Sequence, residues 1–154
     1  RTDFMTATSG SGLLYHTFSH YGPVKGGILG VRRNGALISM ATGKALAYAL
    51  FNLQDRGRLF IGHATEVYEG MVIGLHSRGN DLVVNPLKAK QLTNIRAAGT
   101  DENLVLSPII QLPLERAMEL IDDDELIEVT PDALRIRKRY LKEHERRREN
   151  RKAS

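Results

Sequence analysis

Apolar positions along this chain come in short runs separated by polar breaks, and the runs carry both a helical and a strand period. Arg1 to Ser9 is a short piece with Phe4 and Met5 apolar, closing on Ser9-Gly10-Ser11-Gly12. Glycine relieves the left-handed backbone that follows a last helical turn, so a short helix is predicted there. Leu13 to Phe18 reads as a strand ending near His20-Tyr21-Gly22-Pro23. Asn34-Gly35 tolerates positive φ at both central positions of a type I′ turn, which predicts a hairpin joining Ile28–Val31 to Leu37–Met40. From Lys44 to Gln54, the leucines Leu46, Leu50 and Leu53 recur at i, i+4 and i+7, one face of a helix, with Gly57 past its end.

Strands are predicted next at Leu59–Ile61, Thr65–Tyr68 and Met71–Leu75, with Glu69-Gly70 as a turn, and a short one at Leu82–Val84. Leu104–Leu106 and Ile109–Leu112 read as later strands, each cut short by a proline. Pro113 to Ile121 offers a short helix with Leu114, Met118 and Ile121 on one face. Thr130-Pro131-Asp132 reads as a helix start: threonine supplies an N-cap oxygen, proline sits where its missing N–H is harmless, and aspartate meets the positive dipole end. That helix would carry Leu134, Ile136, Tyr140 and Leu141. No large apolar residue follows Leu141, so its last third is expected to project into solvent or onto a partner. The pattern predicts an α+β protein, predominantly β, with a mid-chain helix and a basic C-terminal helix.

Composition narrows the function classes. A length of 154 residues suits one domain, or one domain plus a piece of another, and 42% hydrophobic residues suffice for a core. No apolar run approaches the ~18–20 residues that span a bilayer, so no membrane partner is expected. Absence of cysteine removes disulfides and thiolate metal sites and fits a reducing cytosol. The start at Arg1 suggests a fragment of something longer. The net charge of +4 is unevenly spread: Glu115 to Asp132 holds eight acids and one base, whereas Pro131 to Ser154 holds ten Lys/Arg against four acids. An acidic surface followed by a basic arm fits a polyanion partner, and equally a solvated helix laced with Glu–Arg pairs.

Enzyme chemistry finds little support. Gly43-Lys44 resembles part of a phosphate-cradling loop, but Ile38 and Ala45 occupy the required glycine and hydroxyl positions, so a helix start is the better reading. Among the histidines only His16 and His20 are close, and no third zinc ligand lies near. Asp122-Asp123-Asp124-Glu125 reads as a solvated acidic turn before a strand rather than a magnesium site. Gly10-Ser11-Gly12 lacks the nucleophile-elbow spacing, and Ser77 beside His76 would face the opposite way on a strand. No catalytic residue and no metal ligand is therefore assigned.

What remains is HSRGNDLVVNPLKAKQLTNIRA, His76 to Ala97, far longer than the ~4–6 residues that usually link strands. Arg78, Lys88, Lys90 and Arg96 face Asp81 alone, with Asn80, Asn85, Gln91 and Asn94 among them. Cations attract phosphate, and amides reach base edges or ribose hydroxyls. The stretch lacks aromatic residues, so backbone and shape recognition of folded RNA is expected rather than base stacking. A mobile surface loop with no role has the same composition. Lys25, Arg32, Arg33 and Lys44 are candidates to extend the basic surface.

Several long strings carry a resemblance: VYEGMVIG, NPLKAKQLTNIRA and DDELIEVTP, within matches that run from Ala36 to Glu102 and from Ile121 to Leu141. They resemble the C-terminal domain specific to the BipA/TypA translational GTPases, and residues 1–24 resemble the last helix and strand of the ferredoxin-like domain shared with elongation factor G. The resemblance implies that residues 25–154 form the family-specific domain of a cytoplasmic GTPase whose GTP and Mg²⁺ are held by an N-terminal domain outside this chain. It implies binding to the 70S ribosome or 50S subunit, contact with ribosomal RNA and the acceptor arm of A-site tRNA, and a role in large-subunit assembly and in cold or other stress. Arg78, Asn80, Lys88, Lys90, Gln91, Asn94, Arg96, Lys25, Arg32 and Arg33 are the expected RNA-contacting residues. The rival expectation is a module that docks a ribosomal or regulatory protein through the acidic surface Glu115–Asp132.

Overall fold

A computed structural model describes residues 2–23, 32–90 and 104–153. In chain order these form α1 (Thr2–Ala7), β1 (Ala36–Ser39), β2 (Gly43–Lys44), α2 (Ala47–Leu53), a 3-10 turn (Gln54–Arg56), β3 (Gly57–Leu59), β4 (Glu66–Val67), β5 (Met71–His76), β6 (Leu82–Val84), α3 (Leu114–Leu120), β7 (Glu125–Val129), β8 (Leu134–Lys138) and α4 (Glu143–Ala153). The architecture is α+β and mostly β.

Everything is arranged around β5. One of its edges pairs antiparallel with β1, Leu37 opposite Gly74 and Ile38 opposite Val72, which leaves Ile73 as the extra residue of a bulge. The other edge is shared end to end by β8, opposite Met71 and Val72, and β3, opposite Gly74 to His76. β6 lies parallel outside β1, and β7 closes antiparallel on β8, giving the order β6-β1-β5-β8-β7. β2 and β4 form a separate two-stranded ladder.

Strand alternation sends side chains to both faces, and both faces are covered. Leu37, Met71, Ile73 and Val84 join Ala45, Leu50 and Val67 on one side, under α2 and the β2–β4 ladder. Ala36, Ile38, Val72 and Ile136 meet Ala117 and Leu120 of α3 on the other. A sheet covered on both faces has no use for polar residues in its middle strands, which is why ALIS and MVI read as continuous apolar runs rather than alternating ones.

Several expectations are corrected. Asn34-Gly35 does not form a type I′ turn, since neither residue has positive φ. Both edges of β1 are taken by β5 and β6, and Ile28–Val31 lies outside the described residues. Leu13–Phe18 is not a strand; Leu13, Tyr15 and Phe18 stand exposed in chain without regular secondary structure. Leu104–Leu106 and Ile109–Leu112 also lack ladders. Pro108 withholds a donor, and the segment is held by isolated bonds, the Ser107 N–H to Gln54 Oε1 and the Ile110 N–H to the Leu59 carbonyl. α3 buries Ala117 and Leu120, leaving Leu114 and Met118 exposed. Gly43-Lys44 is the strand β2, not a helix start.

The largest correction concerns Thr130-Pro131-Asp132, which turns the chain between two strands instead of opening a helix. The Thr130 N–H donates to the Ala133 carbonyl at 2.9 Å, and the Ala133 N–H donates to Thr130 Oγ1 at 3.1 Å. This closes a hairpin with Val129 opposite Leu134. A threonine oxygen that can cap a helix can equally cap a tight turn. The basic helix begins only at Glu143, after Leu141 packs over Gly70. A Cβ on Gly70, at φ +86°, would lie 2.6 Å from the Leu141 Cα.

Leu50 is wholly buried and ties α2 to the sheet. Leu50→Ala is expected to lower the unfolding free energy by about 2–5 kcal/mol. In urea unfolding this reads as a lower midpoint with an unchanged slope.

Candidate nucleic-acid interface

The chain after β5 is fastened at several points by its backbone, and its described cations are exposed. His76 Nδ1 meets the Asn80 carbonyl at 2.6 Å, Asn34 Nδ2 donates to the His76 carbonyl, and the Gly35 N–H donates to the Arg78 carbonyl at 2.7 Å. Gly35 is required by this close approach, because a Cβ there would sit 2.1 Å from the Asn80 carbonyl oxygen. Beyond β6, the Leu46 N–H donates to the Pro86 carbonyl and the Leu87 N–H to Asn85 Oδ1, both at 2.9 Å. Arg78, Asn80, Lys88 and Lys90 project from this anchored segment with exposed side chains. Arg33 is exposed as well. No carboxylate pairs with Arg33, Arg78, Lys88 or Lys90 among the described residues. Gln91, Asn94, Arg96 and Lys25 lie outside the described residues.

Arg32 is different. Its side chain is 4% exposed, and its guanidinium grips Glu125 with two 2.8 Å bonds, Nη1 to Oε2 and Nη2 to Oε1. It also donates to the Leu120 and Asn34 carbonyls. The fork geometry of arginine matches a carboxylate, and this one is spent inside the protein. Arg32 therefore drops out of the exposed basic surface.

The same cluster holds Lys138, buried at the end of β8. Its Nζ lies 2.6 Å from Asp81, 2.8 Å from Asp124 and 3.0 Å from Glu125. Asp81 also accepts the Ala36 N–H at 2.7 Å. Burial works against charge on all three groups, but the ion pairs prevail. Against desolvation, the Glu125 bond raises the Arg32 pKa, and bonds to Asp124 and Asp81 raise that of Lys138. Against desolvation, Lys138 and the Ala36 N–H hold the Asp81 carboxyl below its usual range. The turn Asp122–Asp124 is thus a clamp on the sheet as well as a surface. No group of three or more His, Asp or Glu among the described residues could hold a metal ion.

Beside the anchored segment lies an open groove of about 400 Å³ that the sequence reading missed. Asn85 and Lys88 form one wall, and Tyr48, Asn52 and Arg56 of α2 and the following turn form the other. The signal was present as the i, i+4, i+8 spacing of Tyr48, Asn52 and Arg56, a row beside the leucine face, whose Leu53 also lines the groove. The stretch His76–Ala97 has no aromatic of its own, but the fold supplies Tyr48.

α4 carries the C-terminal basic charge. Part of it is neutralised within the helix, Arg147 by Glu143 at 2.5 Å and Lys152 by Glu149 at 2.7 Å. No helix among the described residues is long and apolar enough to cross a membrane.

The described residues thus form a mixed sheet clamped by a buried ionic cluster and edged by a cationic and amide-rich rim. The chain belongs to the TypA/BipA C-terminal domain family, whose model matches residues 34–143. It is 64% identical over 151 residues to the large ribosomal subunit assembly factor BipA of Escherichia coli strain K12, covering 98% of this chain and 25% of that protein. It is 61% identical to the protein of the same name from Haemophilus influenzae, covering 98% and 24%, and 58% identical to that of Buchnera aphidicola, covering 98% and 25%. The chain thus spans about a quarter of the length of these curated relatives.

Two outcomes test the ionic cluster. Glu125→Leu strands Arg32 without its partner and is expected to cost about 3–5 kcal/mol in chemical denaturation. The pH dependence follows from the shifts. The depressed Asp81 stabilises above its unfolded pKa and loses that contribution as pH falls through the folded value. The raised Lys138 stabilises below its unfolded pKa and loses that contribution as pH rises through the folded value. The contribution of these two groups should therefore be flat between roughly pH 4 and pH 10. Asp81→Asn should shallow the acid limb in melting curves taken across pH.

Proposed function

We propose that this chain is the ribosome-binding part of a bacterial translational GTPase and works by contacting RNA through the rim that follows β5. The observation that carries this reading is the set Arg78, Lys88 and Lys90: exposed and without carboxylate partners among the described residues, on a stretch whose backbone is held at Arg78, Asn80, Pro86 and Leu87. Cations placed this way release counterions when they meet phosphate, and a fixed backbone limits the entropy cost of binding. Relatives named as large ribosomal subunit assembly factors support a ribosomal partner, the 50S subunit or the 70S particle. In this reading the RNA is ribosomal RNA and the acceptor arm of A-site tRNA, and the task is large-subunit assembly, including growth in the cold or under other stress, in the cytoplasm. Asn80, Arg33 and the residues Lys25, Gln91, Asn94 and Arg96 extend the contact.

GTP and Mg²⁺ belong, in this reading, to a separate N-terminal domain. Gly43 and Lys44 are committed to the β2–β4 ladder and do not cradle phosphate. Residues 1–24 would complete a ferredoxin-like domain, which the exposure of Leu13, Tyr15, Phe18 and Tyr21 supports.

The rival reading, protein docking through Glu115–Asp132, is weakened because much of that acidity is internally neutralised. Glu125 and Asp124 hold Arg32 and Lys138, Arg116 lies 3.2 Å from Glu119, and Arg135 lies 3.8 Å from Glu128.

Lys88→Ala combined with Lys90→Ala in the full-length protein is expected to weaken co-sedimentation with 50S subunits while leaving intrinsic GTP hydrolysis intact. The log–log salt dependence of binding should flatten by about 0.7–0.9 in slope for each phosphate that is no longer neutralised. Unchanged pelleting and an unchanged slope would refute the role of the rim.

A further inference from the structure

The groove between α2 and the segment after β6 has the chemistry of a nucleotide site. Tyr48, half-buried, supplies an aromatic ring on one wall. Asn52 donates its Nδ2 to the Tyr48 carbonyl at 2.8 Å, so its Oδ1 is left as an acceptor. Asn85 uses its Oδ1 to accept the Leu87 N–H, so its Nδ2 is left as a donor. Backbone partners set both amides, since a carbonyl accepts only from the amide nitrogen and an N–H donates only to the amide oxygen. Arg56 is exposed, has no carboxylate partner among the described residues, and has its backbone held by the Ser77 N–H at 2.8 Å. Lys88 completes the opposite wall. Val84, at the end of β6, adds an apolar surface to the lining.

A ring, an amide acceptor, an amide donor and two cations with no carboxylate partner among the described residues are what a single nucleotide needs: a stacking platform, a base-edge reader and a phosphate seat. A volume of about 400 Å³ is within the range of small-ligand sites. A paired base in a duplex hides its faces in the stack and its Watson–Crick edge in the pair, so only an unpaired nucleotide could use all five groups. We propose that this groove holds one unpaired nucleotide of a single-stranded RNA segment, its base against Tyr48 and its phosphate on Arg56 and Lys88. This deepens the RNA-binding reading of the rim and rests on it.

Fluorescence anisotropy on the whole chain tests it, with a labelled single-stranded RNA hexanucleotide, an RNA hairpin duplex and free AMP, CMP, GMP and UMP as competitors. Tyr48→Leu and Arg56→Ala should each weaken the single strand roughly tenfold and leave duplex binding unchanged. Arg56→Ala removes only an exposed side chain, so it keeps the test valid where Tyr48→Leu fails to fold. Equal single-strand affinity in wild type and Arg56→Ala, with duplex binding retained, overturns the groove but not the rim. An equal loss on single strand and duplex reduces Arg56 to general phosphate attraction and overturns it too. A free mononucleotide that competes as tightly as the hexanucleotide binds also overturns it, in favour of a free nucleotide ligand. If no RNA binds at all, the rim reading falls with it.

Discussion

A guanidinium that is 4% exposed and a carboxylate that is fully buried must stay together or neither can stay charged, and the pair Arg32–Glu125 is therefore the constraint that orders this domain. Each charge loses several kcal/mol of hydration on burial, and only complete partnering offsets it. The partners come from far along the sequence: Arg32 before β1, Asp81 just before β6, Glu125 at the start of β7 and Lys138 at the end of β8. Such a cluster adds little net stability over a well-packed apolar one. Its effect is on register. Sliding β7 along β8 by one residue would turn Glu125 away from Lys138 and Arg32 and break the buried Arg32–Glu125 pair.

That constraint also sorts the charges of the chain. Arg32 and Lys138 point inward and are neutralised; Arg78, Lys88 and Lys90 point outward with no acid to meet them among the described residues. Asp81 belongs to both stories. It is the single acid of the basic stretch, and it turns toward Lys138 and the Ala36 N–H instead of shielding its cationic neighbours. The rim is more electropositive than its sequence count suggests, because its counter-charge is spent within the fold.

The strands β5 and β6 and the helix α2 were legible in the sequence because their signals were local: apolar runs, leucines at helical spacing, a Glu69-Gly70 turn. The end of the domain was not. Leu134 and Ile136 are two apart, which is strand spacing, but Thr130-Pro131-Asp132 looks equally like a helix cap, and Lys138 at a buried position broke the alternation. A buried lysine reads as polar until its partners are known, and those partners are 13, 14 and 57 residues away along the chain. The Asn34-Gly35 misreading has the same origin. Gly35 is there for a close approach to Asn80, a long-range contact that mimics a hairpin signal.

The proposed binding surface follows the same division between local and long-range information. Composition alone located the cations of the rim, because charge density is a local property. It also excluded base stacking, because no aromatic lies within that stretch, and this exclusion depended on treating the stretch as a unit. In three dimensions α2 packs into the core through Leu50, and Tyr48 and Asn52 of α2, with Arg56 of the turn that follows, line the same groove as Asn85 and Lys88. The hydrophobic face of a helix thus fixes where its polar face goes, and a ring some forty residues upstream becomes a neighbour of the basic segment. A rim of cations recognises any polyanion. In the proposed reading, the same rim beside a ring and two oriented amides would distinguish an unpaired nucleotide from a paired one, and that selectivity would come from packing rather than from charge.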